Sequence, residues 1–125
     1  MRLLLDTHVY LWWLRDDRKL SAHARKTITD ADEVFVSSAS IWEASIKSAI
    51  GKLDVDIDAL VAEIARSGFQ ELPITAKHAA RTAALSSIHR DPFDRMLIAQ
   101  ALCEPLRFLT VDAKLREYSD LVEVI

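Results

Sequence analysis

Short apolar runs alternate with helical segments along the whole chain, and this alternation restricts the fold more than any other feature. The predicted strands are residues 2–5, 33–37, 69–74, 107–111 and 122–125. The predicted helices are residues 9–14, 22–30, 38–50, 56–67, 76–85, 92–103 and 112–118. Strands that alternate with helices form a parallel sheet covered on both faces. The sequence therefore predicts an α/β fold, and its 125 residues suffice for one domain with a single core.

The helix predicted for residues 92–103 carries an acid at its start. Asp91 is a good N-cap, and Pro92 suits the first helical position, where a backbone N–H has no intrahelical partner. Asp94 falls in the first turn, where the helix dipole favours a carboxylate. The residues that follow are apolar almost all round the helix, which is typical of a buried element. Asp94 therefore needs a partner from elsewhere in the chain.

Two further acids follow predicted strands. Asp6 ends the first strand and Asp112 comes directly after the fourth. Because sites in open parallel sheets form beyond the carboxyl ends of the strands, both acids are expected at the same edge. Glu43 and Asp94 lie early in helices whose starts could face that edge. We therefore expect Asp6, Glu43, Asp94 and Asp112 to converge.

Each of these acids also has a purely structural interpretation. Asp6 and Asp112 could simply cap the helices that follow them, and Asp94 could only complement its own helix dipole. Ser40 and Glu43 match the spacing of a capping box, and Glu43 with Lys47 forms an i,i+4 ion pair on a helix. These alternatives stay open for each acid taken singly.

Taken together, the acids are harder to explain as caps. Two carboxylates about 4 Å apart repel by roughly 4 kcal/mol at an effective dielectric constant of 20. A cluster of them is tolerated only with protons or a cation, and carboxylate ligands select a hard ion such as Mg²⁺ or Mn²⁺. Such an ion can orient a water for attack on a phosphodiester. The pattern indicates a metal-dependent nuclease.

The net charge, the cysteine count and the length of the first apolar run exclude several other classes of function. The formal net charge of −3 argues against broad electrostatic binding to nucleic acid. Cys103 is the only cysteine, so there is no internal disulfide and no cysteine-based zinc site. The apolar run after Met1 is too short for a signal peptide or a membrane span. We therefore expect a cytoplasmic protein with no membrane partner.

Four stretches together resemble one known family, the PIN-domain ribonucleases of the VapC toxin type. They are residues 6–13 (DTHVYLWW), 40–43 (SIWE) with Lys47 and 51–53 (GKL), 89–101 (HRDPFDRMLIAQA), and 109–112 (LTVD). The resemblance covers essentially the whole chain. It is most specific around Asp94.

The resemblance implies a three-layer α/β/α fold with a central parallel sheet of about five strands in the order 3-2-1-4-5. It implies an endoribonuclease dependent on Mg²⁺ or Mn²⁺, with Asp6 and Asp94 as the main metal ligands and Glu43 and Asp112 completing the pocket. It also implies a homodimeric toxin of a toxin–antitoxin pair, held inactive by a small cognate antitoxin.

Residues near the acids are candidates for contacts with RNA: Thr7, His89, Arg95 and Thr110. Thr110 could instead hydrogen-bond a ligating acid. Two other functions remain open from the sequence. One is a PIN nuclease of RNA processing or maturation, and the other is a non-catalytic protein-interaction module whose acids are only caps.

Overall fold

The computed structural model describes residues 1–87 and 90–125. Its strands are β1 (Arg2–Leu5), β2 (Glu33–Ser37), β3 (Gln70–Leu72), β4 (Arg107–Thr110) and β5 (Val122–Val124). Its α-helices are α1 (Thr7–Arg15), α2 (Ala22–Asp30), α3 (Ser38–Ala49), α4 (Ile57–Arg66), α5 (Ala76–Arg81) and α6 (Pro92–Cys103). Two 3₁₀ segments, Thr82–Ala84 and Ala113–Tyr118, complete these elements.

The five strands form one parallel sheet in the order β3-β2-β1-β4-β5. Strand β1 is central: Leu4 pairs with Phe35 of β2 on one side, and Leu5 pairs with Leu109 of β4 on the other. From β1 the chain adds strands first to one side and then to the other, so the order reverses between β1 and β4. The predicted strand order is confirmed, and so is the position of the switch point.

Side chains that alternate along β1 enter two separate cores. Leu3 and Leu5 pack with α1, α2 and α4 on one face of the sheet, and Leu4 packs with α6 on the other. This is the expected consequence of the two-residue side-chain period of a strand. Helices cover both faces, as the predicted three-layer arrangement requires. Within the described part of the chain, no helix has the length and apolar character needed to cross a membrane.

Helix α6 begins as predicted. The Asp91 carboxylate accepts the backbone N–H of Phe93 at 2.8 Å and that of Asp94 at 3.2 Å, and Pro92 occupies the first turn. The centre of the helix, residues 97–101, is buried. Cys103 at its end is only partly buried.

Some boundaries differ from the prediction. Strand β3 ends before Pro73, which has no N–H to donate to a neighbouring strand. Helix α5 ends at Arg81 instead of Leu85, and a 3₁₀ turn follows. The Arg95 guanidinium lies against the carbonyl of Thr82 at 3.1 Å, which gives this backbone oxygen a partner outside the helix. The segment that Asp112 caps is 3₁₀ rather than α.

Candidate active site at the switch point

The site is built where β1 and β4 end side by side. The backbone N–H of Asp6 donates to the carbonyl of Leu109 at 3.0 Å, which continues the β1–β4 pairing by one residue. Asp112 follows the end of β4 by two residues. The parallel register therefore places Asp6 and Asp112 at the same edge of the sheet, as the sequence predicts.

Asp6 is a buried carboxylate, with 5% of its surface exposed. The Thr110 hydroxyl donates to its Oδ2 at 2.6 Å. Burial raises the pKa of the Asp6 carboxyl; the Thr110 hydrogen bond and the nearby His8 oppose this, and the negative charge of Glu43 adds to it. Although Asp6 occupies the N-cap position of α1, its side chain makes no capping hydrogen bond. The purely structural interpretation of Asp6 as a cap is therefore wrong.

Thr110 links the two acids at the strand ends. Its Oγ1 donates to Asp6 and accepts the backbone N–H of Asp112 at 3.1 Å. One carboxylate oxygen of Asp112 accepts the N–H of Lys114 at 3.0 Å, so Asp112 does cap the following 3₁₀ segment. Capping uses one oxygen, and a carboxylate has a second oxygen with which to accept or ligate.

Glu43 reaches the site from α3 and is as buried as Asp6. Its Oε2 lies 2.8 Å from the ammonium of Lys47, the i,i+4 pair that the sequence indicates. The capping-box interpretation of Glu43 is wrong, because α3 begins earlier and its cap is Ser37, which accepts the N–H of Ala39. Ser40 instead accepts the Thr7 hydroxyl at 2.9 Å, which ties α3 to the start of α1.

The sequence predicts Lys47 only as the i,i+4 partner of Glu43, and the structure places it near further acids as well. The hydrogen bond with Glu43 raises the pKa of Lys47, and the negative charges of Asp91 and Asp94 add to the increase. The ammonium therefore lies in the field of carboxylates from both α3 and the start of α6. The sequence showed only a lysine one helical turn after an acid, which is common on solvated helix surfaces.

The carboxylate oxygens of Asp6, Asp94 and Asp112 are the donor type that Mg²⁺ or Mn²⁺ prefers. Within residues 1–87 and 90–125, however, no three acidic, histidine or cysteine side chains lie together in a group able to hold a metal ion. All three side chains fit a hard cation by chemistry, and Asp6 and Asp112 also lie at the same edge of the sheet.

The expected RNA contacts at the two threonines are not supported. Thr7 is buried and donates to Ser40, and Thr110 is buried and donates to Asp6. Both hydroxyl protons are used within the protein, so these residues position the site. The alternative for Thr110, a hydrogen bond to an acid of the cluster, is confirmed.

Arg95 is also directed away from the expected substrate. Its guanidinium donates to the carbonyl of Ser86 at 2.8 Å, to that of Thr82 at 3.1 Å and to the Tyr118 hydroxyl at 3.3 Å. These bonds connect α6 to the loop after α5, and they assign Arg95 a structural role. His89 lies outside the described residues.

The fold and the site define an open α/β protein with acids at the switch point of its parallel sheet, which is where ligands bind in this class of fold. The model of the PIN domain matches residues 3–121 of this chain. The chain is 34% identical over 122 residues to Ribonuclease VapC22 of Mycobacterium tuberculosis, a match that covers 93% of this chain and 91% of that protein. The chain belongs to the PIN domain family.

Solved structures support the same fold. One is the crystal structure of VapBC2 from Rickettsia felis bound to a DNA fragment from its promoter. Its TM-score is 0.73 at 14% identity, and the match covers 98% of this chain and 96% of that chain. A toxin–antitoxin complex from Klebsiella pneumoniae gives a TM-score of 0.69 at 18% identity, with the same two coverages. At these identities the likeness establishes the fold.

Proposed function

We propose that this PIN domain protein is a divalent metal-dependent endoribonuclease that acts in the cytoplasm as the toxin of a toxin–antitoxin pair. The observation that carries the proposal is the buried Asp6, which is held by Thr110 beside Asp112 at the switch point of the sheet. The identity of 34% to a protein named as a VapC ribonuclease supports the reaction.

In this proposal Asp6, Asp94 and Asp112 hold Mg²⁺ or Mn²⁺. When bound, the ion supplies a water activated for attack on a phosphodiester and stabilises charge on the phosphate oxygens. Thr110 keeps the Asp6 carboxylate oriented through its 2.6 Å hydrogen bond. Glu43 orients the attacking water. In the metal-free protein, the Lys47 ammonium balances the negative charge of Glu43.

Cleavage by matched variants tests the proposed reaction. We expect the purified wild type to cut single-stranded RNA with Mg²⁺ or Mn²⁺ and to stop on addition of a chelator. Asp94→Asn removes one charged ligand with little change of shape, and we expect its cleavage to fall by at least about 100-fold. The control is Asp120→Asn, an exposed acid just before β5, at the opposite end of the parallel strands from the site.

A folded Asp94→Asn protein that cuts RNA at the wild-type rate, with the same metal dependence, would contradict the assignment. Wild-type cleavage rates measured with Mg²⁺ and with Mn²⁺, each at its cellular concentration, show which ion supports turnover. Circular dichroism of each variant confirms that the fold is retained.

The antitoxin partner is proposed from the solved structures that this chain resembles, since one is VapBC2 and the other is a toxin–antitoxin complex. We expect expression of the wild type to arrest growth, and Asp94→Asn not to. Growth should return on co-expression of a cognate antitoxin. Arrest by both proteins alike would argue against a toxic nuclease.

The homodimer is proposed from an apolar stripe on α3. Trp42, Ile46 and Ile50 recur at i,i+4 spacing and are 60%, 40% and 60% exposed. Trp42 packs edge-on against Phe93 at a centroid distance of 5.2 Å, beside a groove of about 330 Å³. Exposed large apolar side chains in a row are typical of a protein interface. We expect light scattering to give a dimer for the wild type and a monomer for Ile46→Glu, whereas a wild-type monomer would exclude this assembly.

A further inference from the structure

A groove of about 370 Å³ runs between α1 and α3 and begins at the site described above. Its near end is formed by Thr7 and His8, the two residues that follow Asp6. His8 is exposed and lies close enough to lower the pKa of the Asp6 carboxyl, against the larger effect of burial. The groove is therefore continuous with the acids of the proposed active site.

The walls of this groove are basic, although the protein as a whole has a net charge of −3. Four cationic side chains line it: Arg15, Lys19, Lys47 and Lys52. Among the described residues, no aspartate or glutamate lines it. A concentration of one sign of charge in a groove raises the local concentration of a ligand of the opposite sign.

Most of these cations are available to an anionic ligand. Arg15, Lys19 and Lys52 are exposed, and none forms an ion pair with a carboxylate of the residues that the structure describes. Lys47 is the exception, because it pairs with Glu43 where the groove meets the acids. A phosphate that approaches the other three cations would displace no carboxylate.

One hydrogen bond connects the two sides of the groove. Arg15 on α1 donates to the carbonyl of Asp54 at 3.3 Å, which connects α1 to the loop after α3. The backbone N–H of Lys52 donates to the carbonyl of Lys47 at 2.8 Å, so this lysine is carried on the end of α3. The Arg15 guanidinium and the backbone that carries Lys52 are therefore positioned by hydrogen bonds.

Trp12 adds an aromatic surface to the basic walls. It lies one turn after His8 on the same face of α1, and its ring is 6.1 Å from the His8 ring. The Lys19 ammonium lies 5.9 Å from the centre of the Trp12 ring. Cations beside an accessible aromatic ring are the arrangement that binds single-stranded nucleic acid, in which phosphates meet the cations and a base stacks on the ring.

We propose that this groove binds a single-stranded segment of the RNA substrate next to the bond that is cut, with phosphates on Arg15, Lys19 and Lys52 and one base on Trp12. The inference rests on the proposed function for the identity of the ligand. A duplex does not fit it, because paired bases are not free to stack on a side chain.

Fluorescence anisotropy with labelled oligouridine of about ten nucleotides tests the groove. The measurement is made in a chelator, so that no cleavage occurs, and over a range of salt concentrations. We expect Arg15→Gln with Lys52→Gln to weaken binding and to reduce the slope of log affinity against log salt by about 0.7 for each phosphate that is no longer neutralised. The matched control is Lys77→Gln, an exposed lysine on α5 that does not line the groove.

Stacking is tested separately. We expect Trp12→Leu to weaken oligouridine binding by about tenfold with an unchanged salt slope, and Trp12→Phe to restore part of the affinity. Because Trp12 also packs against the core, thermal melting confirms that each variant is folded. The variant with Arg15→Gln and Lys52→Gln is checked in the same way, because Arg15 also donates to the Asp54 carbonyl.

Wild-type cleavage with Mn²⁺, measured in parallel, separates the two proposals. Groove variants that bind like Lys77→Gln, in a protein that cuts RNA, would overturn the groove and leave the nuclease intact. A wild type that binds oligouridine through the groove but never cuts would overturn the nuclease alone. If decaglutamate competes as well as oligouridine and Trp12→Leu has no effect, the groove recognises an acidic polypeptide and the RNA assignment is wrong.

Discussion

The Thr110 hydroxyl donates to the Asp6 carboxylate at 2.6 Å, across a separation of 104 residues in the chain. The same oxygen accepts the backbone N–H of Asp112 at 3.1 Å. One buried side chain therefore sets the orientation of Asp6 and the path of the chain that carries Asp112. The uncharged Thr110 therefore positions both acids at this edge of the sheet.

Thr110→Val tests this arrangement with little change of shape. We expect stability to fall by about 1–3 kcal/mol, because the N–H of Asp112 and the carboxylate of Asp6 both lose a partner. RNA cleavage should fall roughly 10- to 100-fold, as for residues that orient metal ligands. Since the hydroxyl lowers the pKa of Asp6, the acid limb of the pH–rate profile should also move to higher pH. Thr110→Ser keeps the hydroxyl, so the acid limb of its pH–rate profile should lie at the wild-type pH. A Thr110→Val protein with an unchanged pH–rate profile would contradict the assigned role.

Asp6→Asn is expected to abolish cleavage and to stabilise the fold at neutral pH in the absence of metal. Burial raises the pKa of Asp6 in the folded protein, so the folded state binds its proton more tightly than the unfolded chain does. Wild-type stability therefore falls as the pH rises from the unfolded pKa to the folded pKa. The asparagine variant lacks this ionisation. Urea unfolding should show it to be more stable at pH 7, with the difference shrinking as the pH falls through the raised pKa of Asp6 toward about 4, the usual value of an unfolded aspartate; a difference that grows toward low pH would contradict the raised pKa.

Lys47→Met removes the cation that balances Glu43. Because Glu43 is buried, we expect the change to cost about 1–3 kcal/mol of stability without metal. Saturating Mn²⁺ should recover part of this loss, since a bound cation replaces the ammonium charge. The matched control is Lys26→Met, which breaks another i,i+4 pair of 2.8 Å, with Asp30, on an exposed surface. Exposed pairs of this kind contribute little to stability because solvent screens them. Equal losses for the two variants, measured by urea unfolding, would exclude the charge-balancing role.

Arg95→Met tests the structural role assigned to this arginine. Its bonds to the carbonyls of Ser86 and Thr82 are charge-assisted, so we expect a loss of about 1.5–3 kcal/mol of stability. Oligouridine binding in a chelator should be unchanged at a temperature where the variant is folded. Weaker binding with full stability would instead make Arg95 a residue that binds RNA.

Local patterns in the sequence were sufficient for much of the architecture. The ends of β1 and β2, the Asp91 cap and the Pro92 start of α6 were predicted to the residue, because they depend on backbone chemistry within a few positions. The parallel sheet followed from the alternation of strands and helices. The strand order came from the family resemblance rather than from local pattern.

The positions of side chains at the site were harder to predict. Arg95 is adjacent to Asp94 in the sequence, yet its guanidinium binds the loop after α5, because the helix turns successive side chains in different directions. Ser40 and Glu43 have the spacing of a capping box, but α3 begins earlier than that spacing implies. Neither outcome is visible without the packing of neighbouring elements.

The sequence by itself determined which segments are strands and helices, and that Asp6 and Asp112 lie at the same edge of the sheet. These properties follow from hydrophobic period, capping residues and the parallel topology, all of which are written in short stretches of chain. Only the tertiary structure decided that Thr110 holds Asp6, that Lys47 lies among the acids, and that Arg15, Lys19 and Lys52 line one groove. Those contacts join residues far apart in the chain, and their geometry depends on how helices pack on the sheet.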